Sequence, residues 1–203
     1  MKDFRLIETM RVSESGEIIL LERHVERLRN SARYFSFKYN SAGIRELIME
    51  TTSRCLKPAR VRLTLSEDGI MNIDPGPLPE NRPERLKLSI VRVQSLDPFL
   101  QHKSTKRGIF ERARQDCDEN TDVLLMNERG EITETTIANV AVFRRGRWMT
   151  PPILCGLLPG VMRAELLSRG EIEEAVITAD DLQRTEAVRC FNALRGVWDA
   201  TLV

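Results

Sequence analysis

A lysine among basic neighbours, an isolated carboxylate, a glycine-proline helix start and one helical arginine are the features of this 203-residue chain that could do chemistry. Lys103 stands in the run His102-Lys103-Ser104-Thr105-Lys106-Arg107. Neighbouring cations favour a neutral amine, and a neutral lysine is the nucleophile that Schiff-base chemistry needs. A solvated basic turn is the plainer reading of the same residues. Glu134, in Ile132-Thr133-Glu134-Thr135-Thr136, is placed between two expected strands. There a carboxylate either pairs with a cation or faces water. The stretch Gly156-Leu157-Leu158-Pro159-Gly160-Val161-Met162-Arg163 runs into a helix start. Its open backbone N–H groups and dipole can hold a phosphate, or can simply begin a helix. Arg27 falls on the polar side of the first expected helix, where a solvated charge would sit.

The elements that must carry these residues follow from periodicity. Phe4 to Val12 predicts a strand, turned by Ser13-Glu14-Ser15-Gly16 into the apolar stretch Ile18 to Leu21. Leu21, Val25, Leu28, Ala32 and Phe35 recur at helical spacing and place a helix over 22–35. Asn40-Ser41 can cap a second helix, with Ile44, Leu47, Ile48 and Thr51 inward, and Pro58 ends that segment. Val61, Leu63 and Leu65 alternate with polar residues as a half-buried strand, and Leu86 to Val93 reads as another. Beyond a connector over 94–101, the pattern predicts a helix from Thr105 to Cys117 and a strand from Val123 to Met126. A turn at Asn127 to Gly130 and a strand from Ile137 to Phe143 come next. After the turn at Arg144 to Arg147, Pro159 suits the first turn of a helix over 160–168, closed by Gly170. A short acidic helix near Asp180-Asp181 and the stretch Val188 to Phe191 complete the chain. The expected fold is α+β in two lobes: a small α/β lobe over 1–93, the connector, and a larger strand-rich lobe over 102–203.

Composition narrows the function classes. Hydrophobic residues make up 41% and charged residues 30%, which supplies a core and excludes wholesale disorder. The balance of 31 basic against 30 acidic residues argues against a dedicated nucleic-acid binder and leaves room for a local basic pocket. The four cysteines form no C-x-x-C pair and there are two histidines, so a multi-histidine or cysteine metal centre is not expected. The apolar runs fall short of a membrane span and Met1 to Arg5 lacks a signal-peptide core. The expectation is a cytoplasmic protein that takes a small-molecule substrate, with no nucleic-acid or membrane partner. P-loop, G-x-G-x-x-G and nucleophile-elbow motifs are absent from the sequence, and His102 and Ser104 are too close in sequence for a triad.

Taken in order, the same segments resemble the class IV aminotransferase family, the fold-type IV enzymes that use pyridoxal phosphate. Ile7-Glu8-Thr9-Met10-Arg11-Val12 is similar to the family's early strand, and His24-Val25-Glu26-Arg27-Leu28 with Ser31-Ala32 to its H-x-x-R-L helix. His102 to Arg107 resembles its lysine segment. Asn127-Glu128-Arg129-Gly130-Glu131-Ile132-Thr133-Glu134 with Ala138-Asn139 resembles its most diagnostic stretch. Thr150-Pro151-Pro152, Gly156 to Arg163 and Asn192-Ala193-Leu194-Arg195-Gly196 are similar to the family's later segments. Within the family the wording is closest to the aminodeoxychorismate lyases, carried by Gly146-Arg147-Trp148, Cys155 to Gly160 and Leu194-Arg195-Gly196.

The resemblance implies roles. Lys103 would hold pyridoxal phosphate and act as general base, and Glu134 would pair with the pyridine nitrogen. Arg27 would bind the phosphate beside the N–H groups of Val161 and Met162, with Asn192 and Ala193 against the same phosphate. It implies release of pyruvate from aminodeoxychorismate and formation of 4-aminobenzoate for folate. The alternatives are a transaminase on branched-chain or D-amino acids, or a non-catalytic homologue. It also implies a homodimer, and allows association with an aminodeoxychorismate synthase subunit. Family members carry a further strand and turn before the segment at Glu8, so the first-lobe sheet is expected to be one strand short, with an exposed edge. Glu67-Asp68-Gly69 replaces an arginine-glycine after the third strand, which leans against a D-amino acid enzyme.

Overall fold

The computed structural model describes residues 2–203 and parts the chain into two compact units. The first runs to Glu80 and takes in His102–Lys106; the second is Asn81–Gln101 with Arg107–Val203. The boundary therefore falls at Glu80 rather than after Val93, and the segment 94–101 belongs to the second unit.

In the first unit, β1 (Leu6–Val12) is followed by α1 (Leu21–Phe35), α2 (Ser41–Arg54), β2 (Ala59–Leu65) and β3 (Met71–Gly76). The strands form an antiparallel sheet in the order β1-β2-β3. Strict alternation in β2 buries Val61, Leu63 and Leu65, and β1 presents Leu6, Glu8, Met10 and Val12 on one face because side chains alternate along a strand. α1 packs on β1 and buries Val25, Leu28 and Ala32, as their spacing requires. Asn40 caps α2 by accepting from the Gly43 N–H at 3.1 Å. Thr52, rather than Thr51, joins Ile44 and Ile48 inside. The edge of β1 is closed in part. Ser104 bridges Leu6 in antiparallel sense. The Ile7 N–H donates to the Lys103 carbonyl, and the Thr105 N–H to the Arg5 carbonyl, both at 2.9 Å.

The second unit opens with β4 (Arg85–Val93), α3 (Pro98–Gln101), α4 (Gly108–Ala113), β5 (Thr121–Asn127) and β6 (Ile132–Thr135). It continues with β7 (Asn139–Arg144), β8 (Arg147–Thr150), α5 (Val161–Ser168), β9 (Glu173–Glu174), α6 (Ala179–Leu182), β10 (Ala187–Asn192) and β11 (Gly196–Leu202). Eight strands form one mixed sheet, β6-β5-β4-β11-β10-β7-β8-β9. β4 lies here because it pairs in parallel with both β5 and β11. The expected helix over 105–117 contracts to α4, whose apolar Phe110 packs beneath β4 and β5 with Leu100 and Val123.

This sheet must curl. In a flat sheet β6 and β7, five places apart, would be about 24 Å from each other. Only residues 136–138 join them, a reach of about 14 Å, and the Thr135 N–H donates to the Ala138 carbonyl at 2.8 Å. Curling gives the sheet an inner face, where Leu124, Ile132, Val140, Val142 and Cys190 meet. On its outer face Ala141 and Phe191 pack with Leu166 of α5. Both faces being covered, β7 reads as the unbroken run Val140-Ala141-Val142, without alternation. Among the described residues no helix is long and apolar enough to cross a membrane, and no group of three or more His, Cys, Asp and Glu could hold a metal ion.

Candidate active site

In the first unit the candidate residues gather around β1. Lys103 is positioned by the backbone pairing of its segment on the β1 edge. Of its basic neighbours, His102 is stacked on Tyr34 and Phe35, with ring centroids 4.4 and 5.0 Å away. Its Nδ1 lies 2.9 Å from the Ser31 hydroxyl. Burial lowers the His102 pKa, so this ring adds no charge beside Lys103 at neutral pH. Lys106 is paired with Asp3 at 3.1 Å.

Arg27 is not on a solvated face. Its side chain is 12% exposed, and its Nε and Nη2 donate to the two oxygens of Glu8 at 2.9 and 2.6 Å. His24, one helical turn earlier on α1, puts Nδ1 2.6 Å from Glu8 Oε2. Burial alone would raise the Glu8 pKa; the Arg27 charge and the hydrogen bonds from Arg27 and His24 overcome it and hold the carboxyl down at about 2.

In the second unit Glu134 lies inside β6, not between strands. The register slips between the Leu124/Thr135 and Met126/Ile132 pairs, so that Thr133 and Glu134 both stand opposite Leu125. Such a bulge re-aims a side chain. The buried Glu134 carboxylate accepts from the Leu158 N–H at 3.1 Å and from the Asn139 amide at 3.3 Å. Asn139 also donates to the Leu158 carbonyl at 2.9 Å, tying β7 to the loop before α5.

That loop leads to Gly160, the N-cap of α5, with Pro159 just before it rather than in the first turn. No side chain caps this helix start, so the N–H groups of Val161 and Met162 stand at the positive end of the helix. Asn192 closes β10: its amide donates to the Ile137 carbonyl at 3.0 Å and its Oδ1 accepts from the Leu194 and Arg195 N–H groups at 3.0 and 2.7 Å. Ala193 is buried beside it in the same turn. Arg27 and Lys103 are thus gathered in one unit, and Glu134, Val161, Met162, Asn192 and Ala193 in the other.

A profile of class IV amino-transferases matches residues 5–203. The chain belongs to the class IV aminotransferase family. It is 33% identical to a Schizosaccharomyces pombe protein provisionally named an aminodeoxychorismate lyase, over all of this chain and 91% of that one. A solved Mesorhizobium loti structure, provisionally named an amino-acid aminotransferase, is 37% identical. It superposes with a TM-score of 0.92 over 99% of this chain and 100% of its own. The 4-amino-4-deoxychorismate lyase of Pseudomonas aeruginosa has the same fold, with a TM-score of 0.85 at 21% identity over 98% and 82% of the two chains.

The class IV aminotransferases depend on pyridoxal phosphate, and the donor set of this chain fits that group. A guanidinium fixed by a fork and an uncapped helix start suit a phosphate, a buried carboxylate suits a protonated ring nitrogen, and a lysine suits the aldehyde. Sequence reasoning named Glu8, His24 and Asn139 only as parts of motifs. The one signal for Glu8 was its phase in β1, shared with Leu6, Met10 and Val12.

Proposed function

We propose that this chain is a pyridoxal-phosphate-dependent 4-amino-4-deoxychorismate lyase, forming 4-aminobenzoate and pyruvate. The observation that carries the reading is the end-to-end match to the fission-yeast relative, with Lys103, Glu134 and Arg27 all present. In this reading Lys103 holds the cofactor, Arg27 and the Val161 and Met162 N–H groups bind its phosphate with Asn192 and Ala193 alongside, and Glu134 keeps the ring nitrogen protonated. The cofactor, when bound, supplies an electron sink that stabilises negative charge at the amine-bearing carbon.

Lys103 Nζ, released as a free amine when the substrate's amine takes its place, then takes the proton from that carbon. The C–O bond on the neighbouring carbon breaks with its electron pair going to oxygen. The departing enol takes up a proton to become pyruvate, and the ring becomes aromatic. Substrate atoms are divided between two products with nothing added, so no keto-acid acceptor is required. Each Glu134 oxygen accepts an N–H, and Asn139 fixes the orientation of the carboxylate for this role.

The test is product analysis of the purified protein with pyridoxal phosphate and aminodeoxychorismate. Equal amounts of pyruvate and 4-aminobenzoate are expected without added keto acid. Turnover that requires a keto acid assigns a transaminase instead. Borohydride treatment should fix the cofactor to the Lys103 peptide, seen as a mass increment, and Lys103→Ala should lose both the increment and turnover.

A further inference from the structure

Glu8 is a carboxylate in an apolar place. In the β1–β2 register it stands opposite Leu63, between Leu6 and Met10 on the same face, and each of those three is at most 1% exposed. Both of its oxygens are engaged, Oε1 by Arg27 Nε and Oε2 by Arg27 Nη2 and His24 Nδ1. A carboxylate only accepts, so the His24 Nδ1 must carry the hydrogen. Its Nε2 is then left buried with no hydrogen-bond partner among the described residues, which costs stability that an apolar side chain would not. Buried ion pairs can commonly be replaced by apolar residues of like volume without loss, so stability alone does not account for these three residues. What they do achieve is geometric: a side-on fork sets the plane and reach of the Arg27 guanidinium, and the imidazole sets the carboxylate.

We propose that Glu8 and His24 are positioning residues that hold Arg27 in the orientation in which it binds the cofactor phosphate, an inference that rests on the phosphate role of Arg27. An arginine held in one rotamer has already lost the side-chain freedom that binding would otherwise remove. Releasing it weakens phosphate binding on the order of tenfold. The opposite sign marks a rival explanation. If Glu8 serves only as a counter-charge, neutralising it strengthens the attraction for a phosphate dianion.

The experiment titrates the cofactor-stripped protein with pyridoxal phosphate and, separately, with pyridoxal, following absorbance, alongside the thermal midpoint of the stripped protein. Pyridoxal shares the aldehyde and ring but lacks the phosphate. Glu8→Gln is expected to weaken pyridoxal phosphate about tenfold and to leave pyridoxal unchanged. His24→Phe is expected to follow it in direction, while His24→Asn, which keeps a donor near the Nδ1 position, retains the parent preference. Tighter binding of pyridoxal phosphate by Glu8→Gln overturns the proposal, as does equal weakening of both ligands with a fallen thermal midpoint. Arg27→Ala separates the two readings. If it abolishes the preference for the phosphorylated ligand while Glu8→Gln does not, only the positioning role fails; if it leaves the preference intact, the phosphate role of Arg27 fails and the proposal with it.

Discussion

Replacing Gly160 with alanine tests the link between the helix start and Glu134. An added Cβ at Gly160 meets Asn139 Oδ1 at 1.9 Å, where ordinary contact begins at 3.4 Å. The backbone at this position, φ −64 and ψ 142, suits any L-residue, so the effect is steric and not conformational. Asn139 cannot swing away cheaply, since it is buried and its amide is committed to Leu158 and Glu134. Overpacking a tight site costs about 1–3 kcal/mol, and expelling the amide forfeits about 1 kcal/mol for each hydrogen bond. Gly160→Ala is therefore expected to cost about 2–4 kcal/mol, a fall of roughly 5–15 °C in the melting temperature of a chain this size. Differential scanning calorimetry of the cofactor-stripped protein measures it. In an Asn139→Ala background the obstructing oxygen is gone, so the same substitution should cost about 1 kcal/mol, for the poorer cap alone. A coupling above about 1 kcal/mol in this double-mutant cycle is the expected signature. Strictly additive costs, or a neutral Gly160→Ala, would refute the contact and with it the argument that Asn139 supports Glu134.

Two further outcomes rest on buried ionisable groups. With its folded pKa at about 2 against an ordinary 4.5, Glu8 contributes stability that is present above about pH 4.5 and lost as pH falls towards 2. The shift amounts to about 3 kcal/mol, so urea unfolding across this window should show a parent acid limb steeper than that of Glu8→Gln by about that much; equal limbs would disprove it. Burial pushes the Cys155 thiol up to about 12, and raises Cys190 as well. Iodoacetamide at pH 8 should therefore label the half-buried Cys55 and Cys117 in the native protein and spare the other two, as peptide mass mapping can show.

Elements with one wet face and one dry face are legible in the sequence. The stripe Val25, Leu28, Ala32 and the alternation Val61, Leu63, Leu65 exist because solvent lies on the other side. Where both faces are covered the period disappears, and β6, all four residues buried, has no alternation to mark it as a strand. β3 escapes notice for the opposite reason, none of its residues being buried. At the site, the lysine and the helix start carry local signals of type and spacing. The polar side assigned to Arg27 fails because a carboxylate 19 residues away, on another element, neutralises it. Side-chain pairing across that distance has no periodicity from which to read it. The bulge that turns Glu134 is likewise a property of two strands in register and not of either alone.

The lysine segment on the β1 edge also orders events during synthesis. β1, α1, α2, β2 and β3 are complete once Gly76 has been made, and Ile18 and Ile19 already pair with Val12 and Arg11, yet the backbone groups that pair with Arg5 to Ile7 on the β1 edge belong to residues 103–105. A nascent chain thus exposes an unpaired strand edge while β4 and α3 are being translated, the kind of edge that recruits other chains. A gene fragment ending at Glu80 would keep that edge open permanently and would lack Lys103 altogether. The first unit can therefore be excised only with the distant pentapeptide His102–Lys106 joined back to it, by a short linker or by circular permutation.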